Sequence, residues 1–195
     1  MNSLHSRCAG VMLVGLAVAA CAGAAPPPAA VPVAGNCLAS GDGFLTARLR
    51  GALEADIAWD NGAMSCEGGA RPDGRGIRAT FAGPLSATQP GEAPRQLRLI
   101  FGIDLDDTAP GAAQVLPTNL TVIVEGEQLL FATRGNARCA VENLERRPLL
   151  AAGPGVERIH ARGYCTSPAT DASGAQRVLV STFEFAGRVN LETSP

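Results

Sequence analysis

The sequence predicts an all-β protein, an antiparallel β-sandwich or barrel of about eight strands with little helix. The first observation is a period of two: apolar and polar side chains alternate through most of the chain after residue 44, as in strands with one buried face. The second is turn chemistry, because segments such as Asp60-Asn61-Gly62 and Arg134-Gly135-Asn136 separate the alternating runs. The third is an even number of cysteines after residue 35, which is typical of a fold stapled by disulfide bonds.

The alternation is longest over residues 45–59. We expect one long strand there, bent or bulged at Gly51, which crosses a barrel or both layers of a sandwich. Further strands are predicted at residues 76–82, 96–103, 120–125, 128–133, 137–143, 158–166 and 177–189. The best helical candidate is residues 141–147, and it is limited to a single turn because Pro148 would break a longer helix.

Residues 1–20 have the parts of a secretory signal: a basic residue near the start, an apolar stretch, and small residues before a cleavage point. The stretch is shorter than the roughly 20 apolar residues that a membrane-spanning helix needs. Its end, Val18-Ala19-Ala20-Cys21, resembles the lipobox of bacterial lipoproteins. The resemblance implies cleavage before Cys21, acylation of that cysteine with fatty acids such as palmitate and, with Ala22 next, attachment to the outer membrane of a Gram-negative cell envelope. Cleavage after Ala24 would instead give a secreted or periplasmic protein without lipid.

Residues 21–35 carry no charged or aromatic side chain and are rich in alanine and proline. Proline favours an extended backbone of about 3.1 Å per residue, so this tether would span on the order of 40 Å and hold the domain away from the lipid. Residues 36–195 form one domain by length. Removal of the signal takes away Arg7 and leaves 15 of the 16 basic residues against 18 acidic ones, a net charge of −3. This balance argues against nucleic-acid binding, which normally requires a basic excess.

Four cysteines remain in the domain, Cys37, Cys66, Cys139 and Cys165. An even number in an exported chain predicts disulfide bonds. Cys139 and Cys165 lie in consecutive predicted strands whose pairing would bring the two sulfurs together. Among the three possible connectivities we therefore expect Cys37–Cys66 and Cys139–Cys165. Zinc sites use close pairs such as Cys-x-x-Cys, and these spacings are far wider, so no metal is expected.

The candidate interaction residues lie on one predicted strand, where Arg158, His160, Arg162 and Tyr164 alternate with apolar or small neighbours. They form either a solvated strand face or a patch of two guanidiniums and an imidazole for an anion or an acidic partner. Asp104-Leu105-Asp106-Asp107 gathers three carboxylates, which we interpret as an acidic surface turn because the glycine and distal glutamate of a calcium loop are missing. No Gly-x-Ser-x-Gly elbow, phosphate loop or dinucleotide fingerprint is present, so we expect neither catalytic residues nor a cofactor.

These features predict a non-catalytic envelope lipoprotein that binds a protein partner or stabilises an envelope assembly. The first alternative is an inhibitor of lysozymes or proteases, which would insert a projecting loop into an enzyme. Residues 67–75 and 166–176, each beside a cysteine, are the candidate loops. The second alternative is a carrier of a small ligand or lipid, or a hydrolase, with a site that the sequence does not reveal. A deep cavity inside the sheet would favour the carrier, whereas a filled interior would not.

Overall fold

The computed structural model describes residues 37–86, 95–105, 115–127 and 129–192. The signal, the tether with Cys21, and Asp106 and Asp107 lie outside these ranges. Within them the chain forms strands β1 Phe44–Gly51, β2 Ala55–Asp60, β3 Ser65–Ala70, β4 Gly76–Leu85, β5 Arg95–Asp104, β6 Leu116–Glu125, β7 Leu129–Ala132, β8 Cys139–Pro148, β9 Val156–Cys165, β10 Ala169–Thr170 and β11 Arg177–Asn190. A short 3-10 turn, Leu150–Ala152, lies between β8 and β9. The predicted all-β class is confirmed.

The strands form one sheet in which nearly every neighbouring pair is antiparallel. Strands β3 to β6 pair in sequence order, and β6 then pairs with β8, β8 with β9 and β9 with β11. β11 returns to β3 through one parallel bridge between Asn190 and Gly69, so the path of hydrogen-bonded strands closes as in a barrel. β1 pairs with β11 and β2 with β1, while β7 and β10 link β6 to β11.

The interior is occupied by apolar side chains from alternate positions of the strands. Four phenylalanines pack at its centre, Phe81 of β4, Phe101 of β5, and Phe183 and Phe185 of β11, with ring centroids between 4.7 and 6.2 Å apart. Aromatic pairs at such distances add about 0.5–1.5 kcal/mol beyond the burial of their area. The rings therefore stabilise the sheet and occupy the space that a carrier would leave open for its ligand.

The prediction of one strand over residues 45–59 is wrong, because the chain turns back after Gly51 and β1 and β2 form a hairpin. Gly51 has a φ of 114°, and the N–H of Ala52 donates to the carbonyl of Arg177 in β11. The buried positions of β2 continue the alternation of β1 because the turn leaves β2 in phase. Periodicity alone contains no sign of this turn.

The helical turn predicted at residues 141–147 is also wrong, because this segment belongs to β8. Its pairing with β9 continues to Pro148, which stands opposite Glu157. Nε and Nη2 of Arg146 donate to the two carboxylate oxygens of Glu157 at 2.6 and 2.9 Å. This fork raises the pKa of Arg146 above its ordinary value. Cross-strand pairs, which the local sequence does not reveal, thus hold a segment of helical composition in the extended state.

The sequence patterns do not predict β3 or the short β10. β3 contains Gly68 and Gly69, which resemble turn glycines when the sequence is taken alone. In the sheet, a Cβ atom on Gly68 would lie 2.5 Å from the carbonyl oxygen of Arg78 and 2.6 Å from Cγ1 of Val189. Gly68 therefore permits a close approach between neighbouring strands.

Both predicted disulfide bonds are confirmed. Cys139 and Cys165 stand directly opposite each other on β8 and β9, as their predicted pairing requires. Cys37 is bonded to Cys66 of β3. The two bridges span 29 and 26 residues, and the chain-entropy account gives about 3 kcal/mol for loops of that length.

The segment before β1 is held by a buried asparagine as well as by Cys37. Oδ1 of Asn61 accepts hydrogen bonds from the N–H groups of Leu38 and Gly43 at 2.8 and 3.2 Å. Its Nδ2 donates to the carbonyl of Leu38 at 3.0 Å. The beginning of the described chain is therefore fixed to the sheet rather than frayed from it.

Candidate functional site

The four candidate residues of β9, Arg158, His160, Arg162 and Tyr164, alternate with the buried side chains of the same strand. β9 lies between β8 and β11, and β11 is followed by β1 and β2. The outward side chains of these five strands are therefore neighbours. We call this surface, built by β2, β1, β11, β9 and β8, the β9 face.

Two of the four candidate side chains, Arg158 and His160, contact carboxylates within the protein. Nε and Nη2 of Arg158 each donate to Oδ2 of Asp42 at 2.9 Å. A hydrogen bond from Ser40 and the charge of Arg158 lower the pKa of Asp42. Nε2 of His160 lies 2.9 Å from Oε1 of Glu184 on β11. An anion approaching Arg158 or His160 would thus have to compete with a carboxylate that is already in place.

The other two candidates, Arg162 and Tyr164, line an open groove of about 460 Å³ on the β9 face. Neither side chain makes an ion pair or a hydrogen bond with any part of the chain that the structure describes, and the same holds for Glu142 at the groove. The other polar side chains of the groove are Thr46, Arg48, Asp56, Thr182 and Glu184. The structure therefore brings half of the predicted patch into one concave site.

Two β-bulges lie beside this groove. In the ladder of β8 with β9, Glu142 is the extra residue. In the ladder of β1 with β11, Ser181 is the extra residue, next to the partner of Arg48. A bulge bends its strand and re-aims the neighbouring side chains. Both irregularities therefore adjoin residues that line the groove, Glu142 itself and Thr182 next to Ser181.

Both signs of charge occur in the groove. Nε of Arg48 lies 3.5 Å from Oδ1 of Asp56, and Glu184 stands opposite Arg162 in the ladder of β11 with β9. The phenol of Tyr164 adds an aromatic ring with a polar end. Such a surface suits a partner that presents polar groups of both signs, because a small anion alone would also meet the carboxylates.

A second cluster of charged groups lies where the chain leaves β3, β5 and β7. The side chains of Arg71 and Asp104 are only 9 % and 10 % exposed, and Nη1 of Arg71 lies 3.8 Å from Oδ2 of Asp104. Arg71 also donates to Asp73 at 2.7 Å, and Nδ2 of Asn136 donates to Asp104 at 2.8 Å. The interpretation of Asp104 as part of an acidic surface turn is therefore wrong. It belongs to a nearly buried network that ties three connections of the sheet together.

The loops considered for an inhibitor are partly built into the sheet. Residues 67–70 belong to β3, and residues 169–170 form β10, which pairs with β7 and β11. Beyond β10 the chain makes a fixed turn: Ser173 donates its hydroxyl to Asp171, and the N–H of Gln176 donates to the same carboxylate at 3.0 Å. These hydrogen bonds lower the pKa of Asp171. Two exposed turns keep the character of a projecting loop, residues 72–75 between β3 and β4 and residues 171–176 after β10.

No three His, Cys, Asp or Glu side chains of the described residues lie close enough together to hold a metal ion. The same residues contain no helix with the length and apolar character needed to cross a membrane. Comparison with known proteins finds no matching family, no similar curated protein and no matching solved structure. The function has to be inferred from the site itself.

Proposed function

We propose that the protein is a non-catalytic envelope lipoprotein, anchored to the outer membrane through Cys21, which binds a protein partner in the groove of the β9 face. One observation carries the binding part of this proposal. Arg162, Glu142 and Tyr164 share the groove, and their polar ends have no partner among the described residues. The neighbouring Arg48 and Arg158 are paired with carboxylates, and His160 contacts Glu184. Unpaired polar groups collected in a shaped depression are available to the side chains of a partner.

The surroundings of His160 give this side chain a role in the packing of the β9 face. Its Nε2 is engaged by Glu184, and its ring lies edge-on to Phe44 at a centroid distance of 5.8 Å. The imidazole thus packs the β9 face together. The phenylalanines at the centre of the sheet also favour recognition at the surface over storage of a ligand inside.

The bridge between Cys37 and Cys66 supports the anchoring part of the proposal. It joins the start of the domain covalently to β3. A lipid anchor at Cys21 would therefore keep the folded sheet attached to the membrane. Disulfides persist in the compartments outside the cytoplasm, where a lipoprotein would reside. Cells grown with labelled palmitate should incorporate the label into the parent protein and not into the Cys21→Ser variant. A parent protein without label, or a variant with as much label as the parent, would contradict the lipid anchor.

The groove is tested with Arg162→Glu and with the matched control Arg177→Glu, an exposed arginine at the start of β11. Each full-length protein is captured from envelopes solubilised in mild detergent, and the associated proteins are quantified by mass spectrometry. We expect Arg162→Glu to lower partner recovery by about tenfold or more, because reversal of a charge in an interface costs at least about 1.4 kcal/mol. Arg177→Glu should leave recovery unchanged. Equal losses in both variants, or no reproducible partner, would count against the groove.

The fixed turn at residues 171–176 favours a second candidate, an inhibitor of lysozymes or proteases. The two hydrogen bonds to Asp171 order the turn before an enzyme binds it. The disulfide bond of Cys165 fixes the chain that leads into the turn. Preorganisation of this kind raises the affinity of a loop for an enzyme cleft. Purified protein should then inhibit lysozyme or a serine protease, and Asp171→Ala should weaken the inhibition. The absence of inhibition by the parent protein would exclude the enzymes tested.

A further inference from the structure

Strand β8 has a backbone edge to which no described strand is hydrogen-bonded. On one side β9 pairs with β8 as far as Pro148. On the other side β6 pairs only with Ala140 and Val141. We call the rest of that side, residues 142–148, the free edge of β8. Its side chains are exposed to solvent, except that of Leu144, which is half-buried. An open edge of this kind accepts a further strand.

The backbone groups that face the free edge follow from the pairing of β8 with β9. The N–H of Leu149 donates to the carbonyl of Val156 at 2.8 Å, so these two residues form a hydrogen-bonded pair. In an antiparallel ladder such pairs alternate with pairs that are not hydrogen-bonded. The N–H and carbonyl groups of Leu144 and Arg146 therefore point away from β9, to the free edge. Pro148 has no N–H, so it ends the stretch that can donate to a further strand.

The charged side chains of the free edge have both signs. Glu145 and Arg147 lie on one side of β8, and Nη2 of Arg147 is 3.3 Å from Oε2 of Glu145. Arg146, between them, lies on the other side and is paired with Glu157 of β9. Charges of one sign keep edge strands apart. Here a two-fold axis through Arg146 would instead set Glu145 of each copy opposite Arg147 of the other, so the free edge is complementary to itself.

An exposed apolar side chain lies near each end of the free edge. Val115, 48 % exposed, precedes Leu116, which stands opposite Val141 in the ladder of β6 with β8. Val115 therefore lies where the free edge begins. Leu150, 89 % exposed, lies beyond Pro148, where the free edge ends. Because antiparallel copies run in opposite directions, Leu150 of one copy would meet Val115 of the other, and both apolar side chains would leave water.

We propose that two copies of the chain bind each other through the free edge of β8, antiparallel about a two-fold axis at Arg146. The two Arg146 residues exchange backbone hydrogen bonds at the axis, and the N–H of Leu144 donates to the carbonyl of Pro148 in the other copy. The two guanidiniums that meet there are each neutralised by Glu157. A register with Glu145 on the axis would set two carboxylates against each other. This contact is separate from the groove of the β9 face and does not require the lipid anchor.

Cysteine cross-linking in living cells tests the contact. The full-length protein carries Arg146→Cys, which would place two thiols at the axis, where a hydrogen-bonded pair has its Cα atoms about 5.5 Å apart. The four cysteines of the domain are already in disulfide bonds. The control is Ala58→Cys, at an exposed position of β2. After treatment of the cells with a mild oxidant, we expect Arg146→Cys to give an adduct of twice the mass of the protein and Ala58→Cys to stay monomeric.

Three results of this experiment would overturn the inference. The first is the absence of an adduct at position 146, and the second is an equal yield of adduct at positions 146 and 58. The third is an adduct at position 146 with a protein of different mass, which would assign the free edge to another protein.

Two charge reversals, each combined with Arg146→Cys, test the register. Glu145→Arg and Arg147→Glu each set like charges opposite each other at two symmetric positions, so either change should lower the yield of adduct by about tenfold. The two variants are then expressed together with different tags. In that mixture each Glu145→Arg chain presents its guanidiniums to the carboxylates of an Arg147→Glu chain, and the adduct between the two tags should recover. Mixing restores no contact within a chain, so recovery reports contact between copies, whereas a loss that persists in the mixture would contradict the register.

The apolar ends of the free edge test the antiparallel orientation. Leu150→Asp, combined with Arg146→Cys, should lower the yield of adduct because the substituted side chain would face Val115 of the other copy. Leu130→Asp, at an exposed leucine of β7, is the matched control and should leave the yield unchanged. An undiminished yield with Leu150→Asp, or an equal loss with Leu130→Asp, would rule out this orientation.

Discussion

The network around Arg71 offers the sharpest prediction for stability, because one side chain joins three connections of the sheet. Its guanidinium donates to Asp73 at 2.7 Å and to Asn136 at 3.3 Å, and it lies 3.8 Å from Asp104. Substitution Arg71→Met keeps much of the side-chain volume and removes the charge. The carboxylate of Asp104, 10 % exposed, then loses its closest cation while Arg75 remains at 3.9 Å.

Removal of one partner from a nearly buried ion pair costs about 3–5 kcal/mol, because the other charge stays desolvated. Since Arg75 and Asn136 still face Asp104, we expect the lower end, about 3 kcal/mol of unfolding free energy. Urea denaturation with disulfides intact measures this value. The buried Trp59, the one tryptophan of the chain, provides the fluorescence signal.

The matched control is Arg78→Met, the same substitution at an exposed arginine of β4. This variant should change the unfolding free energy by no more than about 0.5 kcal/mol, as exposed substitutions usually do. A second variant, Arg71→Met with Asp104→Leu, should recover part of the loss because no unpaired carboxylate remains. If Arg71→Met is as stable as Arg78→Met, the network does not stabilise the sheet and the reasoning is refuted.

Three further predictions concern the fold. Replacement of Cys139 and Cys165 by alanine should lower the free energy of unfolding, measured by urea denaturation, by about 3 kcal/mol. An unchanged urea midpoint would contradict the chain-entropy account of this disulfide bond. Gly68→Val should cost about 3 kcal/mol because its side chain would meet the backbone of Arg78; a neutral effect in a thermal melt would mean that β3 and β4 are farther apart. The folded-state pKa of Asp42 is lowered from 3.8. The ionised Asp42 carboxylate therefore adds to the free energy of unfolding above that pH, and this stabilisation is lost as the pH falls through the lowered pKa. Asp42→Asn should remove this acid-dependent loss, which a series of denaturation curves across acidic pH would reveal.

The fold class was predictable because a strand with one buried face shows alternating apolar and polar residues in its own sequence. The alternation in β4, β5, β6, β9 and β11 follows from one face meeting the core, and the opposed positions of Cys139 and Cys165 follow from two consecutive strands that pair. The failures have one cause. The turn after Gly51, the extended state of residues 141–147 and the packing of Gly68 all depend on a neighbouring strand, and a sequence pattern does not identify its neighbour.

The candidate site was predictable only in part. Arg162 and Tyr164 were marked by alternation along β9, which also marks Arg158 and His160. Their different surroundings depend on Asp42 and Glu184, which come from segments distant in the chain. The importance of Glu142 could not be predicted, because it is the extra residue of a bulge and its placement depends on the register of β8 against β9.

The most direct test of the proposed function is photo-cross-linking from the groove in living cells. A photoreactive p-benzoylphenylalanine replaces Tyr164, an aromatic position that is partly exposed, and a second protein carries it at Leu130 on β7. Illumination should give one discrete protein adduct from position 164 and none from position 130. Arg162→Glu should abolish the adduct if the groove is the binding site. The absence of any adduct from position 164, or the same adduct from both positions, would contradict the proposal.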